Sequence, residues 1–438
     1  MTFLTVPDFR VKPKHIQKYY RIFMRISELK KKDYFRIGLY LVLIIVVLGY
    51  FRNTLRKDMN DFQVVHRAAT RILNQENLYN FDDGHYLYKY SPFFAVLAAP
   101  LGLFPFSSAQ IIWLAGMCIC LFFIMRWSKK MILGDKSPPP YLYLLTLLFT
   151  SKFIVREIWL GQTDFLMLFF IFLFIFSKDR GKEWKAGLFL SLSAMIKPIS
   201  LIFVPYLLYK KKFRLIGYLA IGGVVFLFVP SLVYGFSANL NLLSGWKTVI
   251  SASSPPLLTV DMNQSLFAFL YRFLTPTPYQ VNLLNLNYTV VNVLIYVAVI
   301  GLFLFLLFLN HRSKFAVRPA HRPERSRRVE KNFVQHRECI EYSLLLIFIA
   351  LFSPLGWFQN YSSSILAYML LLYYVLKIGL KDRFVFILLM LSFVLVDAIN
   401  FETVGRRIND LSLYYSFITF GILLVIICLS KLRLTKIA

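Results

Sequence analysis

Residues 286–310 read LNYTVVNVLIYVAVIGLFLFLLFLN, without a single Asp, Glu, Lys or Arg. A helix needs roughly 20 predominantly apolar residues to cross the hydrocarbon core of a bilayer, so this stretch predicts a transmembrane helix. Comparable apolar runs, Ile37–Phe51 and Tyr414–Ser430, lie towards the two ends of the chain. The sequence therefore indicates a protein that crosses a membrane several times.

The composition of the whole chain supports this interpretation. Of the 438 residues, 58% are hydrophobic and only 16% are charged, whereas a soluble domain carries roughly 25% charged residues. The apolar runs are spread evenly along the chain instead of being confined to one part of it. We therefore expect one integral-membrane domain over residues 1–438, with an all-α polytopic fold.

Apolar length predicts about 12 transmembrane helices. Their expected ranges are 36–52, 108–127, 140–158, 162–178, 184–197, 198–210, 214–235, 286–310, 342–357, 361–378, 383–400 and 414–430. The segment 91–106 is also apolar, but it is short and bounded by prolines. We expect it to form a re-entrant or interfacial helix, with a full crossing as the alternative.

The positive charge of the chain follows its predicted loops. The net charge is +28, which in a soluble protein would suggest a nucleic-acid partner. Here Lys and Arg are concentrated in segments such as the tail 1–35 and the loop 311–340, as the positive-inside rule requires of cytoplasmic segments, so we expect no nucleic-acid partner. The loop 311–340 is predicted to be a connector or a contact for anionic lipids. The loops 52–106 and 236–285 then lie on the extracytoplasmic face, and a full crossing at 91–106 would invert this arrangement.

The first extracytoplasmic loop begins with a carboxylate at the start of a predicted helix. Phe62, Val65 and Ala69 recur at helical spacing, which predicts an amphipathic helix lying on the membrane. Asp61 is then either the N-cap of this helix or a functional carboxylate. Asp58 is its nearest competitor for a functional role.

Three cations are predicted near the outer ends of spans, against the positive-inside trend: Arg156, Lys197 and Arg272. Such residues either extend their charged ends to the interface and pair locally, or bind a phosphate at the membrane surface. Tyr90 and Trp357 fall at predicted interfaces, where aromatic belts are common and stacking on a sugar is the functional alternative.

Taken in order, the outer segments resemble the polyprenyl-phosphate-mannose-dependent α-1,2-mannosyltransferases, within the C-type superfamily of membrane glycosyltransferases. The matching elements are Asp61-Phe62, Asn77-Leu78-Tyr79, Tyr88-Lys-Tyr90-Ser-Pro92, Gly161-Gln162-Thr163-Asp164, Lys197-Pro198, Asn263-Gln264-Ser265-Leu266 and Ser353-Pro354-Leu-Gly-Trp357. Each element is short, and the signal lies in their shared order.

The resemblance implies an inverting transfer of mannose or another hexose on the extracytoplasmic face of a multi-pass protein, expected in a bacterial cell membrane. The donor would be a polyprenyl-phosphate-linked sugar, the acceptor a glycolipid or glycan, and Asp61 the general base. No metal or other cofactor is expected, because the donor carries no nucleotide. The expected substrate contacts are Tyr90, Arg156, Gln162, Asp164, Lys197, Asn263, Gln264, Arg272, Trp357, Gln359 and Asn360.

One departure from the family pattern and two other functions stay open. Members of the family often carry a His pair where this chain has Gln359-Asn360, and amides donate hydrogen bonds without carrying charge. A transporter or flippase of lipid-linked glycans would need ionisable residues deep in its spans. A non-catalytic scaffold for envelope assembly would tolerate loss of Asp61.

Overall fold

The computed structural model describes residues 59–139, 141–253, 255–278, 281–315, 324–378 and 382–434. The predicted first span at 36–52, the basic tail and Asp58 lie outside these ranges. The described part of the chain is helical, and an antiparallel backbone bridge joins Asn263 to Trp357. The predicted all-α class is therefore confirmed.

The helices in chain order are α1 (Asn60–Leu73), α2 (Pro92–Gly102), α3 (Phe106–Leu133), α4 (Leu142–Phe149), α5 (Ser151–Leu160), α6 (Asp164–Asp179), α7 (Glu183–Ile196), α8 (Phe203–Tyr209), α9 (Phe213–Phe228), α10 (Ser231–Tyr234), α11 (Phe236–Ser253), α12 (Leu266–Leu274), α13 (Tyr288–Phe315), α14 (Glu324–Leu351), α15 (Ile365–Ile378), α16 (Arg383–Phe393), α17 (Phe401–Tyr414) and α18 (Phe417–Leu434). Short 3₁₀ turns cover Phe81–Tyr86, Pro198–Ile202, Pro255–Leu257 and Phe358–Ser364, and a π turn covers Val394–Ala398.

Within the described ranges, 4 stretches are long and apolar enough to cross a bilayer as single helices. They are Phe106–Leu133, Phe213–Tyr234, Tyr288–Leu309 and Phe417–Leu434. Two sharply bent pairs, α5 with α6 and α16 with α17, raise the number to 6 if each pair is one crossing. The chain is thus a multi-helix integral membrane protein, and the larger number of about 12 spans stays a prediction.

Several predicted spans are interrupted where the local sequence disfavours a helix. α5 and α6 meet at 115° across a break of a few residues, where Gly161 has a φ of +68°. Pro198 cannot supply the amide that would extend α7, so the chain changes to a 3₁₀ turn there. α7 has 14 residues, a length of about 21 Å against a hydrocarbon core of about 30 Å.

The first loop contains two helices packed against each other. Phe62, Val65 and Ala69 of α1 are buried, as the amphipathic pattern predicts. α2 approaches this helix closely, because a Cβ at Gly102 would lie 2.6 Å from the Ala69 carbonyl oxygen. α2 has 11 residues and is about 17 Å long, too short to cross the bilayer alone. Its position at the membrane interface remains a prediction.

Both long loops of the predicted topology contain helices. The segment 236–285 includes α11 and α12, and Phe267 of α12 packs in a buried cluster with Val291 of α13. The basic segment 311–340 includes the first part of α14. Both segments therefore contain helices in spite of their polar residues.

Candidate active site

Asp61 lies in the first turn of α1 and is hydrogen-bonded to a distant part of the chain. The N-cap of α1 is Met59, which makes no side-chain capping bond, so the N-cap interpretation of Asp61 is wrong. Its carboxylate instead accepts a hydrogen bond of 2.5 Å from Nε2 of Gln162. The Asp61 side chain thus connects the start of α1 to the turn between α5 and α6.

The Gly161 turn brings Gln162 to Asp61. Gly161 adopts the left-handed conformation that favours glycine, and a Cβ there would lie 2.6 Å from Cβ of Phe62 and 3.0 Å from Cβ of Met59. Nε1 of Trp113 donates a 2.9 Å hydrogen bond to the Gly161 carbonyl. The turn therefore packs against the start of α1 and is also hydrogen-bonded to α3.

A second carboxylate, Asp164, begins α6 and binds Lys197. Nζ of Lys197 lies 2.7 Å from Oδ1 of Asp164, and the side chain of Asp164 is 1% exposed. Glu157 accepts a 2.8 Å hydrogen bond from the Asp164 amide. It therefore caps the first turn of α6 from the preceding helix. Three acidic and basic groups buried so close together destabilise a protein unless they are paired. Such a buried cluster is typical of a functional site.

The electrostatic surroundings of Asp61 raise its affinity for a proton. Burial raises the pKa of Asp61 above its usual range, and the positive charges of Lys197 and Arg156 and the hydrogen bond from Gln162 only partly oppose this effect. Burial also raises the pKa of Tyr90, to about 12, with Lys197 and Asp61 among the charges that act on it. The structure thus gathers five other predicted site residues around the Asp61 carboxylate: Tyr90, Arg156, Gln162, Asp164 and Lys197.

Arg156 links this cluster to the segment before α15. Its guanidinium lies 4.2 Å from the ring centroid of Trp159 and 5.9 Å from that of Phe358. One of its Nη atoms lies 3.9 Å from the sulfur of Met262. Arg156 therefore lies between the Asp61 cluster and the two polar segments that follow.

Asn263, Gln264 and Arg272 make hydrogen bonds that hold loops together. Arg272 is fully buried and donates to the carbonyls of Val260 and Asn263, each at 2.8 Å. Nδ2 of Asn263 donates to the Pro354 carbonyl at 2.8 Å. Nε2 of Gln264 donates to the carbonyls of Asp261 and Leu413, at 2.6 and 2.8 Å. These contacts give the three residues a structural role that their sequence does not reveal.

The predicted aromatic and amide residues before α15 lie in the same polar network. Trp357 pairs with Asn263 through the antiparallel bridge. Gln359 and Asn360 are buried in the 3₁₀ turn that follows, and Oδ1 of Asn360 has no hydrogen-bond partner. The Asn360 side chain is thus buried with an unused acceptor.

Three polar residues near these groups were not predicted from the sequence. Lys89 and Asp61 interact electrostatically, and Glu157 supports Asp164 as described above. Lys152, one turn before Arg156, donates a 2.8 Å hydrogen bond to the Ile399 carbonyl. A charged residue inside an apolar run is itself a functional signal, and it could have identified Glu157 and Lys152.

The fold and this cluster of charged residues define an integral membrane protein with a buried carboxylate placed beside cations, as in an enzyme of group transfer. Residues 88–320, more than half of the chain, match the model of glycosyltransferase family 87. The chain belongs to this family and is a membrane glycosyltransferase. The matched segment includes Gln162, Asp164 and Lys197 but begins after Asp61. No curated protein and no solved structure matches the chain.

Proposed function

We propose that the protein transfers a hexose, with mannose the first candidate, from a polyprenyl-phosphate donor to a glycolipid or glycan acceptor on the extracytoplasmic face. Asp61 acts as the general base, and the anomeric configuration is inverted. The observation that supports this proposal best is the Asp61 carboxylate, held by Gln162 and acted on by Lys197 and Arg156. The resemblance of the outer segments supplies the donor class.

The proposed reaction needs one proton transfer and one displacement. The acceptor hydroxyl passes its proton to the Asp61 carboxylate while its oxygen forms a bond to the anomeric carbon. The bond from that carbon to the phosphate oxygen breaks on the opposite face of the sugar, and the electron pair leaves with the polyprenyl phosphate. Attack opposite the leaving group accounts for inversion.

Lys197 and Arg156 are the proposed stabilisers of the departing phosphate. The negative charge on this leaving group grows as the bond breaks, and fixed cations near it are worth more in a site that excludes water. Lys197 keeps two N–H groups beyond the one that it directs at Asp164, because an ammonium has three donors. The Arg156 guanidinium lies 4.2 Å from the ring centroid of Trp159, and a planar guanidinium can make two parallel contacts with a phosphate.

Gln162 is proposed to orient the base. Its Nε2 donates to Asp61, while its Oε1 is buried without a hydrogen-bond partner. That oxygen is an acceptor suited to a sugar hydroxyl, which carries a proton to donate. Gln162 would therefore align the carboxylate and the substrate from a single amide.

The direct test is transfer by the purified protein in lipid, supplied with a short-chain polyprenyl-phosphate mannose and candidate acceptors. We expect release of polyprenyl phosphate and a product whose new linkage has the opposite anomeric configuration, as measured by NMR. A product that retains the donor's configuration would contradict the mechanism. If no donor is consumed while lipid-linked glycans move between leaflets of vesicles, the transporter alternative holds instead.

A further inference from the structure

Next to the pair of Asp164 and Lys197 lies a second carboxyl group that the proposed mechanism does not use. Glu157, on α5, is 0% exposed and Asp164 is 1% exposed. Oε1 of Glu157 accepts hydrogen bonds from the backbone amides of Asp164, at 2.8 Å, and Phe165, at 3.4 Å. The Glu157 and Asp164 side chains also lie within hydrogen-bonding distance of each other. Two carboxyl groups thus meet inside the protein.

Each of these carboxyl groups has an oxygen without a donor. Oδ1 of Asp164 accepts from Nζ of Lys197 at 2.7 Å. Oδ2 of Asp164 and Oε2 of Glu157 are both buried without a hydrogen-bond partner among the described residues. An ionised carboxylate only accepts hydrogen bonds, so two ionised groups in this position would repel each other. One proton held by the pair removes the repulsion and supplies the missing donor.

Glu157 is the better holder of this proton. Asp164 is paired directly with the ammonium of Lys197, which stabilises its ionised form. The charge of Lys197 also acts on Glu157, but within the described ranges Glu157 makes no ion pair, and a buried carboxylate without a paired cation is strongly disfavoured. The neutral acid fits both contacts, because its carbonyl oxygen accepts from the α6 amides while its O–H donates to Asp164.

We propose that Glu157 is a neutral carboxylic acid that donates a hydrogen bond to Asp164 and so positions Lys197 for the donor phosphate. The role of Lys197 rests on the proposed function, whereas the proton on Glu157 does not. With this proton in place, one carboxylate instead of two opposes the charge of Lys197. A second negative charge here would repel the phosphate that leaves during transfer. Glu157 is therefore a positioning residue, which acts through Asp164 and Lys197.

The proton is tested by infrared spectroscopy of the full-length protein in lipid nanodiscs, without substrate. A carboxylic acid and a carboxylate absorb at different frequencies. We expect the difference spectrum between the wild type and Glu157→Gln to show the loss of a carboxylic acid band. Glu183→Gln is the matched control, because Glu183 pairs with Lys212 at 3.3 Å and should lose carboxylate bands instead. Loss of carboxylate bands from Glu157→Gln would overturn the proposal.

The positioning role is tested by binding of farnesyl phosphate, a short polyprenyl phosphate, to the same proteins. Glu157→Met removes the hydrogen bond that fixes Asp164, so we expect its Kd to rise by about fivefold, the equivalent of one hydrogen bond. A glutamine offers the same donor and acceptor as the neutral acid, so Glu157→Gln should regain most of the affinity that Glu157→Met loses. Glu183→Gln should bind as the wild type does.

These outcomes are separable from the proposed reaction. A wild type with the acid band and with binding that depends on Glu157, but without hexose transfer, would contradict the proposed function and support the positioning role. Equal Kd values for the wild type and Glu157→Met would overturn that role even if the wild type transfers sugar, and so would absence of binding to the wild type. Tighter binding by Glu157→Gln than by the wild type would mean that a negative charge has been removed. That result would overturn the proposal without the Met variant.

Discussion

Asp61 has its properties because residues far away in the sequence surround it. Gln162 follows it by about one hundred positions, and Lys197 and Arg156 act on its charge from two other elements. A carboxylate on an isolated amphipathic helix would be solvated and would remain a weak base. Burial raises the pKa of Asp61, and these three neighbours oppose that effect only in part, so its proton affinity moves towards the range in which an acid–base catalyst works best.

The first prediction at this scale concerns the pH dependence of transfer. A base acts only when ionised, so kcat/KM should rise with pH through the pKa of Asp61. That rise should occur at a higher pH than for an ordinary aspartate, because burial raises the pKa. In Gln162→Met the hydrogen bond that lowers this pKa is lost, so the rise should move to still higher pH. An unchanged profile in this variant would show that Gln162 does not act on the base.

The second prediction concerns the pair of Asp164 and Lys197. Lys197→Met leaves the Asp164 carboxylate, which is 1% exposed, without its cation, and should lower the free energy of unfolding by about 3–5 kcal/mol. Asp164→Asn added to Lys197→Met should recover most of this loss, because the uncompensated charge is removed. Thermal unfolding in detergent measures both. A double variant as unstable as the single one would contradict the pairing.

At the scale of elements, the decisive feature is the turn that connects α5 to α6. The sequence predicts spans at 140–158 and 162–178 on either side of this turn, and the family resemblance makes Gln162 and Asp164 substrate contacts, but neither predicts a sharp bend. In the structure the two helices meet at 115°. This bend brings Gln162 and Asp164 close to the start of α1. The turn itself therefore positions two of the candidate site residues.

Gly161→Ala tests this turn. An alanine there would adopt a left-handed conformation and place its Cβ 2.6 Å from Cβ of Phe62, so we expect a loss of at least about 2 kcal/mol in unfolding free energy. Transfer should fall as well, because α1 must shift away from Gln162. The matched control is Gly181→Ala, since Gly181 also has a positive φ but has nothing within 4 Å of its added Cβ. Equal stability of the two variants would contradict the close approach of the turn to α1.

For the whole molecule, composition and apolar length were sufficient to predict the class. The all-α membrane fold and membership of a glycosyltransferase family follow from features that a sequence carries locally, namely apolar runs and short ordered motifs. The number of crossings does not follow from such local features, because the sequence predicts a boundary between two spans at a break such as Lys197-Pro198. In the structure it is a change to a 3₁₀ turn between α7 and α8.

Residue type alone does not separate a candidate site residue from a residue with a structural role. Arg272 and Arg156 look alike in the sequence, as cations near the ends of apolar runs. The folded chain surrounds Arg272 with backbone carbonyls but places Arg156 within the field of Asp61. This difference depends on which segments meet in three dimensions, and no local pattern records it.

The central claim is that Asp61 accepts the acceptor's proton, and the most direct measurement is the transfer rate of Asp61→Asn. The asparagine oxygen can still accept the hydrogen bond from Gln162, but it is a poor base. With saturating donor and acceptor, we expect kcat to fall by about 10²–10⁴-fold, with the fold intact. Asp82→Asn, an exposed aspartate in the same loop, should keep the wild-type kcat. An Asp61→Asn enzyme as fast as the wild type would contradict the claim.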